Sequence, residues 1–149
     1  MAVAKTYLVP VDFSKPSERA LDHAIQLARE NKSKLFLLHV IPTSALIMAG
    51  PEPATGQMIL EYEKVMWEGA EKQMRALIKR KKLRPGEYRS LILKRGDPAA
   101  MIANQAKRSR VSMIVMGSHG RTGVKRLVLG SVAERTLRYA SCPVLIVKR

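Results

Sequence analysis

"TYLVPVDFSKPSE", Thr6 to Glu18, holds a complete change of structural type. Thr6–Val11 is a short, nearly continuous apolar run, the pattern of a strand covered on both faces. Asp12 ends it, and Ser14 with Pro16 supplies a helix cap and a proline for the first turn. Ala20, Ala24, Leu27 and Ala28 then continue as one apolar stripe at helical spacing. A buried strand running straight into an amphipathic helix is the opening half of a parallel βαβ unit.

The same alternation recurs to the end of the chain. "KLFLLHV" (Lys34–Val40), "YRSLILK" (Tyr88–Lys94), "VSMIVMG" (Val111–Gly117) and "PVLIVK" (Pro143–Lys148) are further apolar runs bounded by turn signals. Between them, Tyr62, Met66, Ala70, Met74 and Leu77 recur at helical spacing, a Met-rich face suited to a core. Another helix opens on Asp97 as cap with Pro98 at its first position and continues through Met101, Ile102 and Ala106. The last starts near Gly130 and Ser131 and runs through Leu137 to Tyr139. This pattern predicts an α/β fold: a single open five-stranded parallel sheet, doubly wound, taken in the common strand order 3-2-1-4-5. Residues 1–149 are expected to form one domain, in keeping with about 100–200 residues per domain. The stretch Ile41–Gln57, rich in Pro, Gly and Ala, is too long for an ordinary connection and reads either as disorder or as a mobile lid.

Composition narrows the classes. No apolar stretch approaches the roughly 18–20 residues needed to cross a bilayer, and the start lacks the basic and apolar regions of a signal peptide. The single cysteine, Cys142, cannot form an internal disulfide and reads as a packed thiol in a reducing compartment, so a cytoplasmic location is expected. Lys and Arg total 27 against 12 Asp and Glu, a formal net charge of +15 that favours anionic partners without choosing among them. The densest run, "IKRKKLRP" around Lys79–Arg84, reads either as a solvated helix end, where cations suit the dipole, or as a nucleic-acid patch.

In an open α/β sheet, ligands sit beyond the carboxyl ends of the strands where the winding reverses, here between the first strand, ending at Asp12, and the fourth, ending at Gly117. The stretch "GSHGRTGVKRLVLGSVAER" (Gly117–Arg135) leaves that fourth strand. Gly117, Gly120 and Gly123 permit positive φ and close backbone approach, so successive N–H groups can converge as an anion nest. Gly130 then opens a helix whose free N–H groups favour phosphate, with Ser131 as an added donor and Arg121, Lys125 and Arg126 as added charge. His119 reads equally as a phosphate contact or a solvated side chain. His23 and His39 are scattered and read as structural. Asp12 is either a local cap or, if Ser14 caps the helix instead, a ligand for a ribose hydroxyl or a metal-bound water. A Rossmann dinucleotide site would need glycines after the first strand, and a P-loop needs Gly-Lys-Ser/Thr; neither is present.

Gly117-x2-Gly120-x9-Gly130-Ser131, preceded by "VSMIVM" and followed by "VAERTLRYASCPVLIVKR", resembles the ATP-binding branch of the universal stress protein family. "YLVPVDFS", "LFLLHV" and "GDPAAMI" resemble it at corresponding places, so the likeness spans nearly the whole chain. The resemblance implies ATP between strands one and four, with Pro10, Val11 and Asp12 near adenine and ribose and Val40 beside the base. Met116 and Gly117 would continue that wall, while Gly120, Gly130, Ser131 and Val132 would hold phosphates. It also implies a homodimer through the C-terminal strand, whose apolar edge invites pairing. Mg²⁺ is expected to accompany ATP, without a dedicated carboxylate cage. No nucleophile and base pair stands out, so an enzyme is not expected and any hydrolysis would be slow. The expected function is therefore a nucleotide-dependent regulatory or stress-response protein. The alternatives are a slow ATPase and a basic nucleic-acid module, the latter disfavoured by only 5% aromatic content and the absence of an RNP-like motif.

Overall fold

The computed structural model describes residues 5–41, 52–94, 96–119 and 128–148. Strands β1 (Thr6–Pro10), β2 (Lys34–Ile41), β3 (Tyr88–Lys94), β4 (Met113–Gly117) and β5 (Val144–Val147) form a single parallel sheet in the order β3-β2-β1-β4-β5. Helices α1 (Lys15–Glu30), α2 (Gly56–Arg80), α3 (Pro98–Arg108) and α4 (Ser131–Tyr139) alternate with them. The expected architecture and strand order are those observed.

Successive strand residues point to opposite faces, and both faces here are apolar because helices cover both. On one side Tyr7, Val9, Leu35, Leu37 and Val115 pack against Leu21, Ala24, Ile25 and Ala28 of α1 and Met74 and Leu77 of α2. On the other, Leu8, Phe36, Leu38, Ile114 and Met116 meet Ile102 and Ala106 of α3 and Ala133 of α4. Cys142 packs beside this second cluster, and burial pushes its thiol pKa up, in keeping with an inert packed side chain.

Helix boundaries follow cap chemistry. Ser14, Thr55 and Asp97 cap α1, α2 and α3 by accepting from Ser17, Met58 and Ala100 N–H groups. Thr55 starts α2 at Gly56, so the connection after β2 is shorter than the expected Ile41–Gln57 stretch; its residues 42–51 lie outside the described residues. The strand expected to begin at Val111 begins at Met113, because the Val111 N–H closes α3 onto the Ala106 carbonyl at 3.1 Å.

Three helices end alike. After α1, α2 and α3 the chain turns through Lys32 (φ 52), Lys82 (φ 53) and Arg110 (φ 49). The next residues, Ser33, Leu83 and Val111, donate back to Ala28, Ile78 and Ala106 at 2.8, 3.2 and 3.1 Å. This is the Schellman closure, in which glycine ordinarily occupies the left-handed position because a Cβ costs roughly 1–2 kcal/mol there.

Candidate functional site

At the carboxyl end of β1 the chain is held by its own backbone and by β2. Val11 N–H donates to the Leu38 carbonyl at 2.8 Å, and the Val11 carbonyl lies 2.7 Å from His39 Nδ1. A carbonyl can only accept, so Nδ1 carries the proton. His39, 6% exposed, is thereby a buried positioning group, as expected for a structural histidine, and its ring packs against Phe13 with centroids 4.7 Å apart. Phe13 itself sits at φ 64, a left-handed conformation that is costly for a bulky side chain and that no sequence signal announces.

Asp12 and two serines form a small network in this turn. Asp12 Oδ1 accepts from Ser14 N at 3.0 Å and from Ser14 Oγ at 2.5 Å, while Ser14 Oγ accepts from Ser17 N at 3.4 Å. Ser17 Oγ donates to the Ser14 carbonyl at 3.0 Å and accepts from Asp12 N at 3.4 Å. Ser14 does cap α1, as expected, but Asp12 is not left free by it: one carboxylate oxygen shapes the turn.

The end of β4 meets this turn directly. A Cβ on Gly117 would lie 2.9 Å from the Pro16 carbonyl oxygen, so glycine is required by close approach to the first turn of α1. Ser118 then donates to Val147 at 3.2 Å, and its carbonyl accepts from Gly130 N at 2.7 Å. A Cβ on Gly130 would lie 2.9 Å from that carbonyl. Gly117 lacks the positive φ expected of a nest, and Gly130, expected to open the helix, sits at φ −60; at both, a backbone lies where a Cβ would be. Gly130→Val would therefore disturb the strand exit.

α4 begins at this clamp. Its N-cap is Gly130, which offers no side-chain acceptor, whereas α1, α2 and α3 all carry one. The first-turn N–H groups of α4 therefore lack the cap that the other three helices possess. Beside them, His119 Nδ1 lies 3.0 Å from Ser118 Oγ, and Nε2 is enclosed without a hydrogen-bond partner among the described residues. Farther along, Arg135 pairs with Asp97, and this guanidinium, followed by the Ala100 N–H, holds the Asp97 carboxyl below its usual range. That pair docks α4 onto the cap of α3.

Of the expected site residues, Pro10, Val11, Asp12, Met116, Gly117, His119, Gly130, Ser131 and Val132 lie where β1, β4 and α4 converge. Val40 lies at the end of β2, whose Leu38 pairs with Pro10. The Val11 and Met116 side chains belong to the packed core, so these two contribute backbone to the end of the sheet. Gly120, Arg121 and Gly123, with Lys125 and Arg126, lie outside the described residues. Phe13, Pro16 and Ser17 are the participants that sequence pattern missed. Among the described residues no group of three His, Cys, Asp or Glu side chains could hold a metal, and no helix is long and apolar enough to cross a membrane. A surface cavity of about 410 Å³ lies at the other end of the sheet, among Ile25, Arg29, Lys34, Leu83 and Glu87.

The universal stress protein family matches residues 4–148. The chain belongs to that family. The universal stress protein MJ0531 of Methanocaldococcus jannaschii is 37% identical over 147 residues, covering 97% of this chain and 82% of the relative. The solved structure of MJ0577, a universal stress protein of the same organism, superposes with a TM-score of 0.84 at 30% identity, covering 99% of this chain and 98% of that one. Two more distant structures share the fold. One is a universal stress protein in complex with cAMP (20% identity, TM-score 0.69, 99% and 98% covered). The other is the Archaeoglobus fulgidus protein in complex with dAMP (22% identity, TM-score 0.63, 98% of both chains).

Proposed function

We propose that this universal stress protein binds ATP, accompanied by Mg²⁺, as a regulatory ligand in the cytoplasm. The observation that carries the reading is the uncapped start of α4 at the junction of β1 and β4, beside His119 Nε2, which is enclosed and without a hydrogen-bond partner among the described residues. Unsatisfied N–H groups at a helix start favour phosphate, and a buried ring nitrogen without a partner favours a ligand atom that supplies one. Gly130, Ser131 and Val132 would hold phosphate oxygens through backbone N–H groups, and Asp12 would accept from a ribose hydroxyl. Pro10, Val40, Met116 and Gly117 would form the wall beside the base. The adenine nucleotides named for the two distant relatives support this ligand class. Mg²⁺ would offset phosphate charge while keeping most of its water, since it needs few protein carboxylates. The β5 edge is proposed as the contact of a homodimer.

Titration calorimetry with Mg-ATP, paired with thermal unfolding, tests the reading. Binding should release heat and raise Tm, because a ligand selective for the native state adds RT ln(1 + [L]/Kd) to stability. Asp12→Asn retains an acceptor for Ser14 while removing the charge, and should weaken ATP about tenfold to a hundredfold, the range for hydrogen bonds to a charged group. Unchanged heat and Tm at millimolar Mg-ATP would reject the nucleotide reading; unchanged affinity in Asp12→Asn would reject the ribose contact.

A further inference from the structure

The three left-handed helix closures have a chemical regularity that helix closure does not require. Each position where glycine would be the relaxed choice carries a cation: Lys32, Lys82 and Arg110. Cations in a last helical turn are explained by the dipole, which accounts for Lys79, Arg80, Lys107 and Arg108. The dipole does not explain choosing a strained residue over glycine at the next position three times. All three side chains are exposed and make no ion pair among the described residues.

The fold gathers them at one end. Helix ends in a parallel α/β sheet lie beside strand starts, so these cations join Lys34 at the start of β2 and Lys5 before β1. Backbone hydrogen bonds run across this end, from Leu35 to Glu87, Lys34 to Lys5, and Ser112 to Thr6, linking the starts of β3, β2, β1 and β4 in spatial order. Further, Arg29 reaches the Lys82 carbonyl at 3.4 Å, joining the ends of α1 and α2. With strands about 4.8 Å apart, the row is about 14 Å long. Over that length a nucleic-acid duplex carries about eight phosphate charges. Of the acidic residues at this end, Glu87 is already paired with Arg29 and Arg84, and Glu30, the last residue of α1, accepts from Gln26.

We infer that this basic end, opposite the nucleotide site, binds duplex nucleic acid through its phosphates without reading sequence. A duplex fits better than a single strand or a membrane. The exposed large apolar side chains described lie on α2, α4, β5 and at Val128, whereas Leu83 and Val111, within the cationic turns, are buried. The row therefore offers charge without the aromatic platforms that stack bases or the apolar side chains that enter lipid.

The strained positions supply a test that does not endanger the fold. The triple variant Lys32→Gly, Lys82→Gly, Arg110→Gly removes three charges while relieving three left-handed residues, so its Tm should equal or exceed that of the parent. Binding of a mixed-sequence duplex oligonucleotide is followed by fluorescence anisotropy over a salt series. The parent should show a steep fall of log K with log salt, and the triple variant a slope shallower by about 3, at about 0.9 per phosphate contact. Lys5→Gln with Lys34→Gln should reduce it by about 2 on the same basis. A control with Lys64→Ala, Lys72→Ala and Arg75→Ala on α2 should leave the slope unchanged. Three results would overturn the inference: no duplex binding by the parent at low salt, an equal loss in the α2 control, or tighter binding at the same salt to vesicles containing phosphatidylserine than to the duplex.

Discussion

Glu87 shows how a single side chain can carry a pH dependence. The Arg84 backbone N–H, 2.7 Å from Oε2, is the largest influence, followed by the Arg84 guanidinium and then Arg29, and together they bring its pKa down to about 2. A carboxyl with a lowered folded-state pKa contributes stability above its unfolded value and loses it as pH falls through the folded one. The difference in unfolding free energy between the parent and Glu87→Gln should therefore be constant above about pH 5 and shrink toward pH 2. Denaturant titrations across that range check it, and a difference that does not vary with pH would mean that the ionised carboxylate is not what stabilises the turn. Legibility at this scale was uneven. Gly117 and Gly130 stood out in the sequence as candidate site residues, but the contact that requires glycine there, with the Pro16 and Ser118 carbonyls, is one that no local spacing encodes. Asp12 was equally visible as a polar break after a strand, while its engagement with Ser14 depends on the turn that Phe13 makes at φ 64.

Caps and terminal strands behave as units larger than residues. Ser14 and Asp97 were readable because each precedes a proline in the first helical turn, whereas Thr55 was masked by the Gly56 that follows it. A threonine cap outweighs one poor helix former when twenty-odd good positions follow, as they do in the 25-residue α2. β5 is the edge element on which the proposed dimer rests. Val144 and Ile146 pack on the face covered by α3 and α4, and Val147 on the face covered by α1, while Leu145 is 37% exposed. A charge at Ile146 would damage the fold itself, so Leu145 is the discriminating position. Leu145→Lys should retain the parent's circular dichroism yet shift sedimentation from dimer to monomer, because symmetry brings the two new charges together. A parent that sediments as a monomer at high micromolar concentration, or a variant that remains a dimer, would exclude this edge as the contact.

At the scale of the whole molecule, charge and topology act together. A formal charge of +15 on 149 residues opposes compaction, and salt should relieve it. Raising ionic strength from about 0.01 to 0.15 M shortens the Debye length from about 30 to 8 Å, so Tm should rise by a few degrees. Calorimetric scans at the two ionic strengths check this; an unchanged or lower Tm would mean that compensating ion pairs, such as Arg29 with Glu87 and Lys81 with Asp22, already dominate. The sequence by itself determined the alternation of strand and helix and the residues that gather at the carboxyl end of the sheet, while the strand order came from the common winding of such sheets. Apolar periodicity and cap chemistry are local, and the right-handed crossover rule narrows that local order to a few topologies. Tertiary structure alone decided which glycines are needed for contact, that Asp12 is engaged within its own turn, and that three strained cations on separate helices share one pole. The glycine contacts and the shared pole depend on distances between residues far apart in the chain, which exist only once the sheet has brought them together, whereas Asp12 meets Ser14 two residues on through a left-handed Phe13 that no local pattern announces.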